Sequence, residues 1–267
     1  MNRDMRNNFF GLLLLLLSSG LVHASIDSLA MKHALEKSMH YFEMKGLSLQ
    51  RTDVVMIQSI LSRRFQLQMN TPSDSAFVAK DNKFAHCYFK MYDIAYRNCQ
   101  KIEEADSITV LQTFRAQLSK LDMRTAWSMY ADRYPISDSF VDLLEEGSID
   151  PYAITHKAFQ TQVLLSNARL SSSQYHRLNT LKLNLIPALE KVVVDSSLTK
   201  YENDIRIEAM VMLAFLNEKS RIKEESINYL LHSQAENGGW KASITDTQTN
   251  EHTSVLALWF LCEYLFQ

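Results

Sequence analysis

Along most of this chain apolar residues recur at i, i+3 and i+4, and strand-like alternation is hard to find. The pattern predicts ten to eleven helices joined by short turns. The first starts at Ile26 or Ser28 and runs to about Met44, ahead of Gly46. Thr52 caps the second, whose inner stripe is Val55, Met56, Ile60 and Phe65. Phe84, Cys87, Tyr88, Met91 and Ala95 mark a third, and Ile108, Leu111, Phe114, Leu118 and Leu121 a fourth. Shorter helices over 123–132 and 138–146 end at Pro135 and Gly147. Asp150 followed by Pro151 reads as an N-cap with proline at the first helical position. That helix runs to about Leu170. Ser171 to Ser173 break it and open the next, which Pro187 interrupts. Three more follow, over about 202–217, 223–236 and 252–266.

Two of these are apolar nearly all round: Ala209 to Leu216 and Val255 to Cys262. A helix without a polar face has to be surrounded by other helices. The helix between them, 223–236, is amphipathic. Buried helices alternating with half-exposed ones are what two concentric layers produce. The expected fold class is therefore all-α: antiparallel helix hairpins forming a partial or complete α/α toroid, with an irregular helical bundle as the alternative. No linker or low-complexity stretch divides residues 25–267, so one domain is expected.

The N-terminus changes the picture of where the chain works. Arg3 and Arg6 precede the apolar run Leu12 to Leu17, and Val22-His23-Ala24 has the small-residue form of a cleavage site. Residues 1–24 read as a signal peptide cut after Ala24, which implies a secreted or periplasmic protein. No later segment is apolar for long enough to span a bilayer, so no membrane span is expected after cleavage. The net charge of −2 and the lack of a basic stripe argue against a nucleic-acid partner. Three cysteines, Cys87, Cys99 and Cys262, are no disulfide scaffold. Cys87 and Cys99 on one helix would stand about 18 Å apart and could not bond to each other.

Against this glycine-poor background, Gly238 and Gly239 fall together and Trp240 follows at once. Tyr229-Leu230, Gln234 and Gly238-Gly239-Trp240 resemble the QW repeat of the terpenoid cyclases, whose fold is an α/α toroid. The Gly-Gly pair, a polar loop and then His252-Thr253 also resemble the β subunit of the protein prenyltransferases, which shares that toroid. The resemblance covers about forty residues near the C-terminus. It implies that Gln234 and Trp240 tie helix ends to neighbouring helices, and that His252 opens an inner helix at a zinc-ligand position. The acidic D-x-D-D motif of the cyclases and the Asp-x-Cys zinc partners of the prenyltransferases are absent. Outside that stretch the chain reads as an exported helical protein of bacterial type.

His252 follows Asn250, an N-cap residue, and the positive end of its helix favours a neutral imidazole there. A second histidine is similarly placed. In Pro151-Tyr152-Ala153-Ile154-Thr155-His156, His156 lies about a turn and a half into its helix. If both helices are inner staves, their N-terminal ends face one cavity and Tyr152, His156 and His252 converge. These three are the candidate catalytic residues, the histidines as acid/base groups or ligands and Tyr152 as donor. No cofactor-binding motif is seen. Should a metal be held, zinc suits His156 and His252 with His86, Cys87 or Asp246, although no H-x-x-x-H or C-x-x-C spacing supports such a site. There is no G-x-S-x-G and no phosphate-binding loop. Asp142, Glu145 and Glu146 read as a solvated face.

Two function classes follow. One is an enzyme acting on a small apolar, peptide or glycan substrate in a central cavity through His156 and His252. The other is a non-catalytic ligand- or protein-binding helical domain.

Overall fold

The computed structural model describes residues 28–45, 51–69, 121–129, 131, 135–147, 150–198 and 201–266. Residues 1–24, the helices expected around Phe84 and Ile108, and His86, Cys87 and Cys99 lie outside these. The described residues are all-α, with one isolated bridge pairing Trp240 and Asn250. Their α-helices are α1 (Ser28–Lys45), α2 (Thr52–Phe65), α3 (Leu121–Met129), α4 (Asp138–Glu145), α5 (Pro151–Asn167), α6 (Ser172–Val194), α7 (Glu202–Phe215), α8 (Glu224–His232) and α9 (Glu251–Phe266).

Local chemistry sets several of these boundaries. Asp150 caps α5 by accepting from Tyr152 N at 3.3 Å, with Pro151 in the first turn. Ser171 and Gln174 form a reciprocal capping box at the start of α6. At α2 the expectation fails in detail. Thr52 is already helical, and Arg51 occupies the N-cap position without a side-chain cap bond. The buried stripe of α2 is Val54, Val55, Ile57 and Leu61, while Ile60 and Phe65 are only half-buried. Helix α8 stops at His232, four residues short of the expected end, and the chain enters the turn that carries the paired glycines.

Every second helix packs on the next, in the order α2, α9, α7, α5, α3. The side-chain pairs fix their direction. Asp53 meets His252 at one end of α2 and α9, and Arg64 meets Glu263 at the other. Asp204 meets His252 near the start of α7 and α9, and Phe215 meets Trp259 further along. His156 meets Glu208 and Phe159 meets Phe215 in the same sense between α5 and α7. Helices α2, α9, α7 and α5 therefore run parallel, and α6 and α8 are the return segments between successive members. Helices α7 and α9 are buried on nearly all faces, as their composition requires.

The Gly-Gly-Trp turn locks this arrangement. Gln234 Nε2 donates to Ala34 O of α1 and to Gly238 O, both at 2.9 Å. Trp240 is fully buried. Its ring N–H donates to Leu230 O of α8 at 2.9 Å, and its backbone N–H to Ser254 Oγ of α9 at 2.8 Å. One residue thus ties two helices together and adds ~1.5–3 kcal/mol of apolar burial. Gly238 has φ +89°, and a Cβ there would lie 2.2 Å from Lys37 O. At Gly239 a Cβ would come within 2.9 Å of Ser254 Oγ and of the Tyr41 ring.

Gly238→Ala combines a disfavoured backbone with a clash against main chain, and should cost at least about 2 kcal/mol. For a domain of this size that is a fall of roughly 4–8 °C in the thermal midpoint. Gly147, where an added Cβ would meet nothing within 4 Å, is the control. Equal midpoints for Gly238→Ala and Gly147→Ala would show that the turn does not hold the fold.

Candidate functional site

The parallel run of α2, α5, α7 and α9 brings four helix N-termini to one place, and a polar cluster occupies it. Asp53 comes from the first turn of α2, Asp204 from the first turn of α7 and Glu208 from the next turn on the same face. His252 and Thr253 come from the first turn of α9. Tyr152, Thr155 and His156 come from the start of α5. Unpaired N–H groups and helix dipoles favour negative charge at such a point, which accounts for the three carboxyls.

His252 is fixed by both edges of its ring. Asn250 Oδ1 accepts from the backbone N–H groups of His252 (2.9 Å) and Thr253 (3.1 Å), confirming Asn250 as the cap. Nδ1 lies 3.1 Å from Asp204 Oδ1 and Nε2 lies 3.6 Å from Asp53 Oδ2. Thr253 Oγ1 donates to the same Asp204 oxygen. Asp53 is held in turn by Arg51, through contacts of 2.6 and 3.1 Å. Burial alone would depress the His252 pKa. The Asp204 hydrogen bond, with the charges of Asp204, Asp53 and Glu208, outweighs burial and raises it. Burial likewise pushes Asp204 and Asp53 up, but the pairing with His252 and Arg51 wins and both are lowered. The two carboxylates thus work against the helix dipole and favour the charged form of His252, where the dipole alone favours the neutral ring.

His156 is held differently. Its Nδ1 faces two acceptors, Tyr152 O at 3.1 Å and Glu208 Oε1 at 3.4 Å. Both neighbours of Nδ1 carry acceptor oxygens, an arrangement that suits a ring with its proton on Nδ1. The Tyr152 ring packs on the imidazole, centroids 4.0 Å apart, with Tyr152 itself 40% exposed. Thr155 donates to Tyr152 O at 2.9 Å and lies against the Glu208 carboxyl. Glu208 is buried and its Oε2 has no hydrogen-bond partner. Burial raises its pKa, more than the nearby charges of His156 and His252 lower it.

The three predicted residues meet in one cluster, linked through α7. Tyr152 and His156 touch directly, and His156 and His252 are bridged by Glu208 and Asp204, one turn apart on one helix face. Sequence reasoning missed all four acidic and basic partners: Arg51, Asp53, Asp204 and Glu208. The spacing of Asp204 and Glu208, i and i+4 on an otherwise apolar helix, was the available signal. Asp246 does not join the cluster's contacts; it accepts from Ser243 N within the 240–250 loop. Among the described residues no three His, Cys, Asp or Glu side chains are placed to hold a metal ion. Cys262 is a buried free thiol deep in α9. Asp142 and Glu145 are bridged by Arg177 rather than merely solvated. A polar hollow of about 510 Å³ beside the Gly-Gly turn is lined by Lys45, Asn237, Lys241 and Thr249 among others, and by none of the predicted catalytic residues.

The ion pair has a pH signature. His252, raised above its ordinary 6.5, contributes stability that is complete below pH 6.5 and is lost as pH rises through its folded value. Asp53 and Asp204, lowered from 3.8, contribute stability that is present above 3.8 and is lost as pH falls through their folded values. Between pH 6 and 9 the wild type should lose about 1–2 kcal/mol more stability than His252→Gln, which lacks the titrating ring. Parallel denaturation curves for the two proteins across that range would rule out the clamp.

No protein family, curated protein or solved structure matches the chain, so its site has to be read from its own residues.

Proposed function

We propose that this chain is an exported protein, periplasmic or secreted, whose helix pairs form an α/α toroid. Its N-terminal rim is an acid–base site for a small glycan-type substrate. The toroid reading draws support from the parallel helices α2, α9, α7 and α5, each separated from the next in sequence by a return helix where the chain between them is described. Export draws support from the basic start, short apolar run and small-residue site of residues 1–24.

One observation carries the chemical reading. His156 Nδ1 lies 3.1 Å from Tyr152 O and 3.4 Å from Glu208 Oε1, and Nε2 has no partner among the described residues, at a half-buried point where four helix N-termini meet. A ring so held can take a proton at Nε2 and return it, which is general acid–base catalysis. His252 is set aside as the reactive group, because both of its nitrogens face carboxylates. It serves as a fixed positive charge in the wall. Tyr152 offers an exposed aromatic face and a phenol beside the imidazole, suited to a sugar ring more than to a purely apolar ligand. The paired charges, Arg51 with Asp53 and His252 with Asp204, leave little net charge, which favours a neutral substrate.

The test is a screen of residues 25–267 against oligosaccharides and short peptides, read by new reducing ends and new amino groups. His156→Asn should lower turnover by roughly 10²–10⁴-fold with the fold intact. Turnover unaffected by that substitution would remove His156 from the chemistry. Binding without turnover would place the chain with non-catalytic ligand-binding domains.

A further inference from the structure

Glu208 stands apart from every other group in the cluster. Asp53 has Arg51 and His252, and Asp204 has His252 and Thr253. Glu208 is 7% exposed, more enclosed than either histidine; Thr155 hydrogen-bonds to its carboxyl, yet Oε2 is sealed from solvent with no hydrogen-bond partner among the described residues. A buried polar atom without a partner costs about 1–3 kcal/mol. A leucine on this apolar helix would avoid that cost, since Ile207, Ala209, Val211 and Met212 around it are all buried.

The other oxygen, Oε1, is 3.4 Å from His156 Nδ1. A histidine side chain free in water favours the tautomer with its proton on Nε2. Here that tautomer would turn the Nδ1 lone pair on two acceptors, Tyr152 O and Glu208 Oε1. The opposite tautomer gives Tyr152 O a donor, faces the Glu208 oxygen with the same N–H, and turns the Nε2 lone pair outward.

We infer that Glu208 is a positioning residue for His156. It accepts from Nδ1, holds the imidazole in the Nδ1–H tautomer and presents Nε2 as the basic nitrogen of the site. It acts through His156, and so rests on the reading of His156 as the reactive group. Burial raises the Glu208 pKa, more than the charges of His156 and His252 lower it. Glutamine at this position offers an acceptor oxygen of the same reach.

Long-range ¹H–¹⁵N spectra of the folded protein, recorded where His156 is neutral, read the tautomer directly and need no substrate. The wild type should show His156 mainly as Nδ1–H. Glu208→Gln should keep that state. Glu208→Leu should raise the Nε2–H population about fivefold, the ratio set by one hydrogen bond of ~1 kcal/mol. His252, engaged on both edges, should keep its signals in both variants and reports an intact fold. An Nε2–H tautomer in the wild type overturns the inference, whether or not either variant folds. So does an unchanged tautomer in a folded Glu208→Leu protein, which would leave the Tyr152 carbonyl as the sole orienting group. The outcomes separate the two readings. The expected tautomers with no dependence of turnover on His156 would sink the acid–base function alone. A His156-dependent activity with no Glu208 effect on the tautomer would sink this inference alone.

Discussion

The structure depends on one electrostatic constraint: four helix N-termini are brought to the same spot. Each carries a partial positive charge and unpaired N–H groups. The helices that meet there, α2, α9, α7 and α5, are held in parallel by apolar packing along their length. That packing cannot avoid concentrating the positive ends. Asp53, Asp204 and Glu208 answer this concentration, and Asn250 satisfies two of the N–H groups at α9. Once the carboxylates are present, a protonated His252 can sit at a helix start that would otherwise repel it. The preference of His252 for its charged form is therefore a consequence of the acidic residues, which are a consequence of the helix directions.

Holding those directions requires that the chain turn back sharply between successive staves. The Gly238-Gly239-Trp240 turn is the clearest instance. Lys37 O occupies the space of a Cβ at Gly238, and the Tyr41 ring and Ser254 Oγ crowd Gly239. Trp240 fills the interior between α8 and α9 while its two N–H groups bond to both. The return helix α8 can then be short, because its end is fastened by side chains and not by its own length. The same turn delivers the 240–250 loop whose Ala242 O accepts from the N–H groups of Asn203 and Asp204. A single clasp thus caps the start of α7 and sets the start of α9, the two helices that supply Asp204 and His252.

Much of this was legible along the chain. Helix existence, the cap at Asp150, the helix start at Ser171 and the two all-apolar helices follow from periodicity and short-range chemistry, which act over a few residues. The placing of Tyr152, His156 and His252 in one cluster was legible only through the assumption that inner helices share a direction. Their partners were not legible. Asp53 lies 199 residues from His252, and Asp204 lies 48 away. Nothing in a local pattern distinguishes those carboxylates from solvated ones. The pull on His252 toward its charged form was hidden for the same reason: the helix dipole is a local feature, whereas the two carboxylates opposing it arrive from distant segments. At α2, Arg51 in place of Thr52 as the N-cap residue reflects a different limit. Its guanidinium is recruited to Asp53 and the cluster, so the helix begins without a side-chain cap.

The two ends of the parallel helices differ in a way that bears on function. At the C-terminal end Glu263 is fully buried, with Arg64 pairing to it at 3.1 Å and Trp259 Nε1 donating to it at 2.8 Å. Arg64 also lies over the Phe65 and Phe215 rings while remaining exposed to solvent. That is a completed structural ion pair, in which removing Arg64 leaves the buried Glu263 charge without its partner. At the N-terminal end Asp53, Asp204 and His252 reach a similar completion. Glu208 and His156 do not: one carboxyl oxygen and one ring nitrogen are left over. Stability alone has no use for the leftover pair, because an apolar side chain at 208 would pack against the same neighbours without an unpartnered oxygen. Within a single set of helices, then, His156 is the less heavily bonded histidine and His252 the more heavily bonded.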